Sequence, residues 1–198
     1  MPIVLEGRHV RLEPLEPAHF AGLAEAALDL TLWRWIAPPV RTKEELTAYV
    51  ETVLEEQERG VSLAFVLIEK TGERVIGATR YGNIDQRRGY LAIGWTWVAL
   101  EWERVVAATE AKYLLLKHAF ENLGCIHVEL RSSTLTDWLN MLTREAILSI
   151  TTLEEDLPEH HAVVLNADTR HDVHFSIVDS AWPRVRARIE RMLYSRVV

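Results

Sequence analysis

Nine residues, Leu100 to Ala108, separate the apolar run Leu91–Ala99 (LAIGWTWVA) from a helix-patterned stretch that begins at Thr109. Their place in the chain gives them chemistry. A loop that leaves a strand and opens a helix presents backbone N–H groups with no intrahelical partner, and the helix dipole adds positive potential. Such a segment can cradle an anion, phosphate above all. His127 and His174 are candidates for moving a proton near neutral pH, or else pack or face solvent. His160, His161, His171 and His174 could suggest zinc. Their spacing matches no strong zinc motif, and on a strand His171 and His174 would face opposite sides, so no metal is expected. Glu154, Glu155, Asp156 and Glu159 read as a solvated acidic turn.

The elements that must position these groups follow from periodicity. After Thr109, Ala111, Leu114, Leu115, His118 and Ala119 fall on one helix face, Leu116 and Phe120 widen the stripe, and Gly124 ends it. Cys125 to Leu130 alternates as a strand, completing a strand–loop–helix–strand unit. Upstream, Ile3 to Leu15 reads as a strand with a turn at Gly7. Pro17 starts a helix whose buried stripe is Phe20, Leu23, Ala24, Ala27 and Leu28. Thr31 to Val40 carries Trp33, Trp35 and the helix-breaking Pro38-Pro39. Thr42 and Glu45 form a capping box for a helix that buries Leu46, Tyr49, Val50, Val53 and Leu54 and closes at Gly60. Leu63–Ile68, Val75–Asn83 and Leu91–Ala99, joined by short turns, form an antiparallel meander.

GWTW, the loop, EAKYLLLKHAFENLG and the later FSIVDSAWP resemble the GCN5-related N-acetyltransferase (GNAT) superfamily, in particular its branch of ribosomal-protein N-acetyltransferases. The likeness runs from LEGRHVRLEPLEPAHF to WPRVRARIERML. It implies a single domain over residues 1–198, an α/β fold with a mixed, largely antiparallel sheet flanked by helices. It also implies transfer of an acetyl group from acetyl-CoA, as cosubstrate, to the amine of a protein N-terminus or a small molecule. By that resemblance Arg104, Val105, Val106, Ala107, Ala108 and Lys112 line the coenzyme phosphates. Asn140 stands near the coenzyme and the Thr143 hydroxyl near the departing thiol. Trp33, Trp35, Trp95 and Trp138 are the candidates for contact with the acceptor, Trp33 and Trp35 serving equally well as a cover for the core.

The chain departs from the family pattern in three places. Val106 replaces the first glycine of the coenzyme loop and Glu103, with its negative charge, the usual Gln or Arg; a β-branched residue resists positive φ and fills the space a phosphate needs, so weak coenzyme binding or none is expected. Ala92 stands where relatives carry a cleft carboxylate in E-I-G-W-T-W. Residues 132–169 match loosely, with a lengthened helix over 135–150 and glycines replaced at Thr151, Asp156 and Asn166-Ala167. These changes also fit a second reading: a catalytically silent or engineered scaffold whose cleft, with Trp138 and Met141 on the 135–150 helix, binds an apolar ligand or a protein partner.

Composition narrows the classes. A chain of 198 residues that is 48% hydrophobic fits one domain with a sizeable core. A net charge of −7 argues against a nucleic-acid surface, and Arg184, Arg186, Arg188 and Arg191 read as a solvated helix face. No run approaches the roughly 20 apolar residues of a membrane span, and the single cysteine, Cys125, fits a reducing compartment as a buried thiol. The expectation is a cytoplasmic protein. A homodimer, common among relatives, stays open.

Overall fold

The computed structural model describes residues 3–27, 40–99, 102, 106–133, 162–164 and 172–194, with the backbone alone for 131–133, 162–164 and 172–175. Eight strands form one sheet in the order β1-β2-β3-β4-β5-β6-β8-β7: β1 Leu5–Glu6, β2 Val10–Pro14, β3 Ser62–Glu69, β4 Arg74–Asp85, β5 Tyr90–Val98, β6 His127–Ser133, β7 Ala162–Val164 and β8 Asp172–Val178. Every pairing is antiparallel except β5 with β6. The single strand expected over Ile3–Leu15 is thus a hairpin, with Gly7 N–H donating to the Val10 carbonyl at the turn.

The helices are α1 Phe20–Ala27, α2 Lys43–Glu58, α3 Val106–Lys117 and α4 Trp182–Tyr194. Pro17–His19 is a 3₁₀ turn leading into α1. The cap of α2 differs from the expected box in one partner. The Thr42 hydroxyl accepts from Glu45 N–H at 3.2 Å, but the Glu45 carboxylate takes the Arg41 N–H at 2.6 Å, one residue earlier. Helix α3 begins three residues before the expected Thr109. It runs through a wide π turn, His118–Asn122, before Gly124 ends it at φ +65.

Alternation along the strands gives the sheet two apolar faces. On one, α3 and α4 cover Leu12, Phe65, Leu67, Tyr81, Leu91, Ile93, Val128, Leu130 and Ile177. The Tyr81 hydroxyl, buried there, donates to the Leu115 carbonyl of α3 at 2.7 Å. On the other, α1 and α2 cover Ala64, Val66, Ile68, Ala78 and Trp97 with Leu23, Leu46, Val50 and Val53. The periodicity of α4 places Val185 and Ile189 in the first core, with Met192 and Leu193 half-buried against it. Cys125 lies buried ahead of β6, and burial pushes its thiol pKa up. Among the described residues, no helix is long and apolar enough to cross a membrane.

Candidate active site

The site begins where the sheet stops being continuous. Strands β5 and β6 pair only from Tyr90↔His127 to Ile93↔Leu130. Beyond that point β5 keeps its pairing to β4 as far as Val98, and β6 keeps its pairing to β8 as far as Ser133. Two strands that lose each other while each holds its outer neighbour must splay, and a wedge opens between them. An extended molecule entering such a wedge would run alongside the backbone of both strands.

On the β5 side of the wedge lies a bulge. Ala78 pairs with Trp97 and Arg80 with Gly94, so Thr79 on β4 faces two residues, Trp95 and Thr96, on β5. Trp95 carries φ +51, a conformation that bulky residues rarely adopt. Strain of this kind persists only where surrounding contacts fix it, and it concentrates at functional sites. Three contacts hold Trp95 and its neighbour here. The Arg80 guanidinium stacks over the indole at 4.2 Å. The ring lies across Gly82, where any Cβ would come within 2.5 Å of its Cζ3. Thr96 and Thr79 share a hydroxyl–hydroxyl bond of 2.8 Å.

Helix α3 follows β5 and starts at the mouth of the wedge. Its first residue, Val106, is 42% exposed, while Ala107 and Ala108 are buried. The expectation that a β-branched residue resists positive φ at position 106 does not apply. Val106 opens the helix and is not among the residues with left-handed backbone, so no glycine conformation is needed there. Lys112, one turn further on, is buried and has no hydrogen bond or ion pair among the described residues. Burial pushes its amine pKa down to about 7. It is therefore a partly charged amine inside the helix packing, not a surface cation reaching over a loop.

The face of the sheet behind the bulge holds a small hollow of about 10 Å³, lined by apolar residues of α1, α2 and β3 together with Tyr49, Thr79, Arg80, Trp95 and Trp97. Arg80 is buried and pairs through Nη1 with Glu56 of α2 at 2.5 Å, while its Nε has no hydrogen-bond partner among the described residues. The pocket thus combines aromatic walls with one fixed cation.

The residues singled out in the sequence separate into three groups. Val106, Ala107, Ala108 and Lys112 come together in the first two turns of α3, and Trp95 lies at the bulge between wedge and pocket. Trp33, Trp35, Arg104, Val105, Trp138, Asn140 and Thr143 lie outside the described residues, as do the 135–150 helix and the side chains of His160, His161, His171 and His174. His127 is half-buried, bonded to the Ser176 hydroxyl and packed edge-on against Tyr90 at 5.2 Å. Ala92 is fully buried beside Glu129 of β6, its partner in register. Sequence reasoning missed Arg80, Tyr49 and Glu129. The first two read as a strand charge and a core aromatic, and nothing local marks them as neighbours.

The family model described as "Acetyltransferase (GNAT) domain" matches residues 9–140. Among solved structures, a T. thermophilus protein carrying a provisional acetyltransferase assignment is 30% identical, with a TM-score of 0.75 and coverage of 98% of each chain. A GCN5-related N-acetyltransferase from Brucella melitensis is 23% identical, with a TM-score of 0.77 over 98% of this chain and 86% of that one. The ribosomal L7/L12 alpha-N-protein acetyltransferase RimL shares the fold at 14% identity, with a TM-score of 0.68 over 90% of this chain and 95% of the other. No curated protein matches the sequence.

Proposed function

Because the chain belongs to the GNAT acetyltransferase family, we propose that it moves an acetyl group from acetyl-CoA to an amine that enters from the Arg80–Trp95 pocket. The observation that carries this reading is the wedge between β5 and β6 with the N-terminus of α3 at its mouth. The residues present suit the coenzyme. The first turn of α3 offers N–H groups that have no partner within the helix and a positive dipole to the pyrophosphate, Ala107 and Ala108 keep that turn compact, and Lys112 supplies a further positive charge once protonated. The pantetheine arm would run between the splayed strands, beyond the last β5–β6 pair, Ile93↔Leu130. When bound, the coenzyme supplies the thioester, and the chain's own residues orient the acceptor against it. The coenzyme role of Arg104 and Val105, the roles of Asn140 and Thr143, and acceptor contact by Trp33, Trp35 and Trp138 belong to the same proposal on family resemblance alone.

The acceptor is an amine borne on a protein N-terminus or a small molecule. An aromatic pocket with one buried guanidinium favours an amine beside an apolar group and a hydrogen-bond acceptor or carboxylate.

Acetyl-CoA calorimetry on the unaltered chain and on Val106→Gly tests the reading. Micromolar binding by the unaltered chain, changed less than about tenfold by the glycine, is expected, since Val106 already holds a helical conformation. Undetectable binding by both would end the acetyl-transfer reading. It would leave the alternative of a silent scaffold whose cleft or 135–150 helix takes an apolar ligand or protein partner.

A further inference from the structure

We infer that Ser176 on β8 and His127 on β6 act as nucleophile and base, splitting acetyl-CoA into acetic acid and free coenzyme thiol through an acetyl ester on Ser176. This rests on the acetyl-transfer reading above, since it needs the same bound thioester. His127 is of a residue type that can move a proton, and the fold gives it a partner 49 positions later in the chain: its Nε2 is bonded to the Ser176 hydroxyl. That bond joins a proton acceptor to an oxygen that becomes a strong nucleophile only when its proton is taken. Among the described residues, neither side chain has a second hydrogen-bond partner. The imidazole packs edge-on against the Tyr90 ring at 5.2 Å, which holds its plane. Both residues are half-buried, so the pair is shielded without being sealed.

Register places the pair beside the wedge. Ser176 pairs with Glu129, and Glu129 with Ala92, one step before the last β5–β6 pair, Ile93↔Leu130. His127 lies two residues back along β6, so alternation sets it on the same face as Glu129 and Ser176, opposite to Val128 and Ile177 in the core under α3. Neighbouring strands lie about 4.8 Å apart, which leaves Ser176 one spacing from the β6 border of the wedge. Two cross-strand bonds divide this face. The Tyr90 hydroxyl holds Glu129 Oε2 at 2.5 Å from the β5 side, and Ser176 holds His127 from the β8 side. A thioester carbonyl that emerges from the wedge onto this face comes within reach of Ser176 Oγ at the end of the row. Joining β6 to β8 does not require the side-chain bond, because the backbone already pairs from His127↔Val178 to Ser133↔Asp172.

The Ser176 hydroxyl gives its proton to His127 Nε2 as Oγ attacks the thioester carbonyl. The C–O bond forms, the C–S bond breaks with its electron pair leaving on sulfur, and the imidazolium passes its proton to that sulfur. Water is the co-reactant of the second half. His127 takes one of its protons, the water oxygen attacks the ester carbonyl, the C–O bond to Ser176 breaks, and the proton goes to Oγ. The products are the thiol and acetic acid, and the pair is restored.

The test uses the full chain with acetyl-CoA and no amine, and follows thiol release, the mass of the peptide that carries Ser176, and the Kd for acetyl-CoA. The unaltered chain is expected to release thiol through many turnovers and, after an acid quench, to carry one acetyl group on Ser176. Ser176→Ala and His127→Gln should each lower thiol release on the order of 100-fold while the Kd for acetyl-CoA stays within about twofold. Ser176→Cys keeps a nucleophile and should still take up the acetyl group, which a bond that served only to join strands would not explain. Three results overturn the assignment: acetyl-CoA bound without thiol release, thiol release unchanged in either Ser176→Ala or His127→Gln, or a chain that releases thiol with no acetyl group on Ser176. Failure to bind acetyl-CoA removes the underlying reading itself, and the proposal with it.

Discussion

Two carboxylates, Glu110 on α3 and Glu129 on β6, are both drawn in from solvent, yet their partners differ in kind. Glu110 is fully buried and accepts the backbone N–H groups of Arg8, His9 and Val10 at 2.8, 2.7 and 3.0 Å, with the Tyr194 hydroxyl at 3.0 Å. That ring of donors ties the β1–β2 turn and α4 to the coenzyme helix and leaves the carboxylate little capacity for anything else. Burial first, and then the bond to Glu110, pushes the Tyr194 hydroxyl pKa up to about 12. Glu129 is half-buried, receives a phenol, and lies where two strands part. The difference teaches that burial of a charge is not a sign of function. A carboxylate ringed by backbone donors ties three elements together, whereas one bonded to a side chain of the neighbouring strand marks where two strands part.

The largest expected effect separates these two roles. Glu110→Ala orphans three backbone donors at once and should lower unfolding free energy by about 3 kcal/mol, read as a drop in the urea midpoint. Glu129→Gln should stay within about 1 kcal/mol of the unaltered chain. Equal losses would erase the distinction. Next comes Lys112, whose pKa is pushed down to about 7 by burial. Here the unfolded chain holds a proton that the folded chain has released, so stability rises as pH climbs from about 7 towards the ordinary lysine value. Lys112→Met should remove that rise and stabilise the fold at pH 7 on the order of 2 kcal/mol. If Lys112 lies against a coenzyme phosphate, the anion raises its pKa and binding takes up a proton. Calorimetric heats at pH 7.5 should then vary with the ionisation enthalpy of the buffer, and buffer-independent heats would remove it from the phosphate site.

Tyr81→Phe deletes the buried bond to the Leu115 carbonyl and should cost about 1 kcal/mol. That would show that the core beneath α3 depends on one polar tie as well as on packing. The smallest effect belongs to Arg186, which pairs with Glu121 and Glu190 while its side chain is 41% exposed. Arg186→Ala should change stability by no more than about 0.5 kcal/mol, a floor against which the Glu110 value can be judged.

Much of the frame was legible from local pattern. The meander over residues 62–98 and the stripe of α2 follow from alternation and a helical repeat, and Gly60 and Gly124 do adopt left-handed backbone where helices end. The site was legible only in pieces. GWTW marked a strand, but not that Trp95 sits in a bulge, because a bulge is a mismatch in count between two strands and neither contains that count alone. Val106 read as an obstacle partly because glycine was expected there; helix α3 starting at that residue removes the demand for a left-handed backbone. Lys112 read as a cation near phosphate, and its burial, which halves its charge near neutral pH, depends on what packs around α3.

The sequence by itself determined the elements, their apolar faces and the family, because these depend on periods of two and 3.6 residues and on short motifs carried within one segment. Only the tertiary structure decided that Ala92 and Glu129 share a row, that the wedge opens just past them, and that Arg80 stacks on Trp95 above Gly82. The physical reason is register. A parallel pair joined through a helix has no turn to fix its alignment, so which side chains meet across β5 and β6 is set by the packing of α3 against the whole sheet.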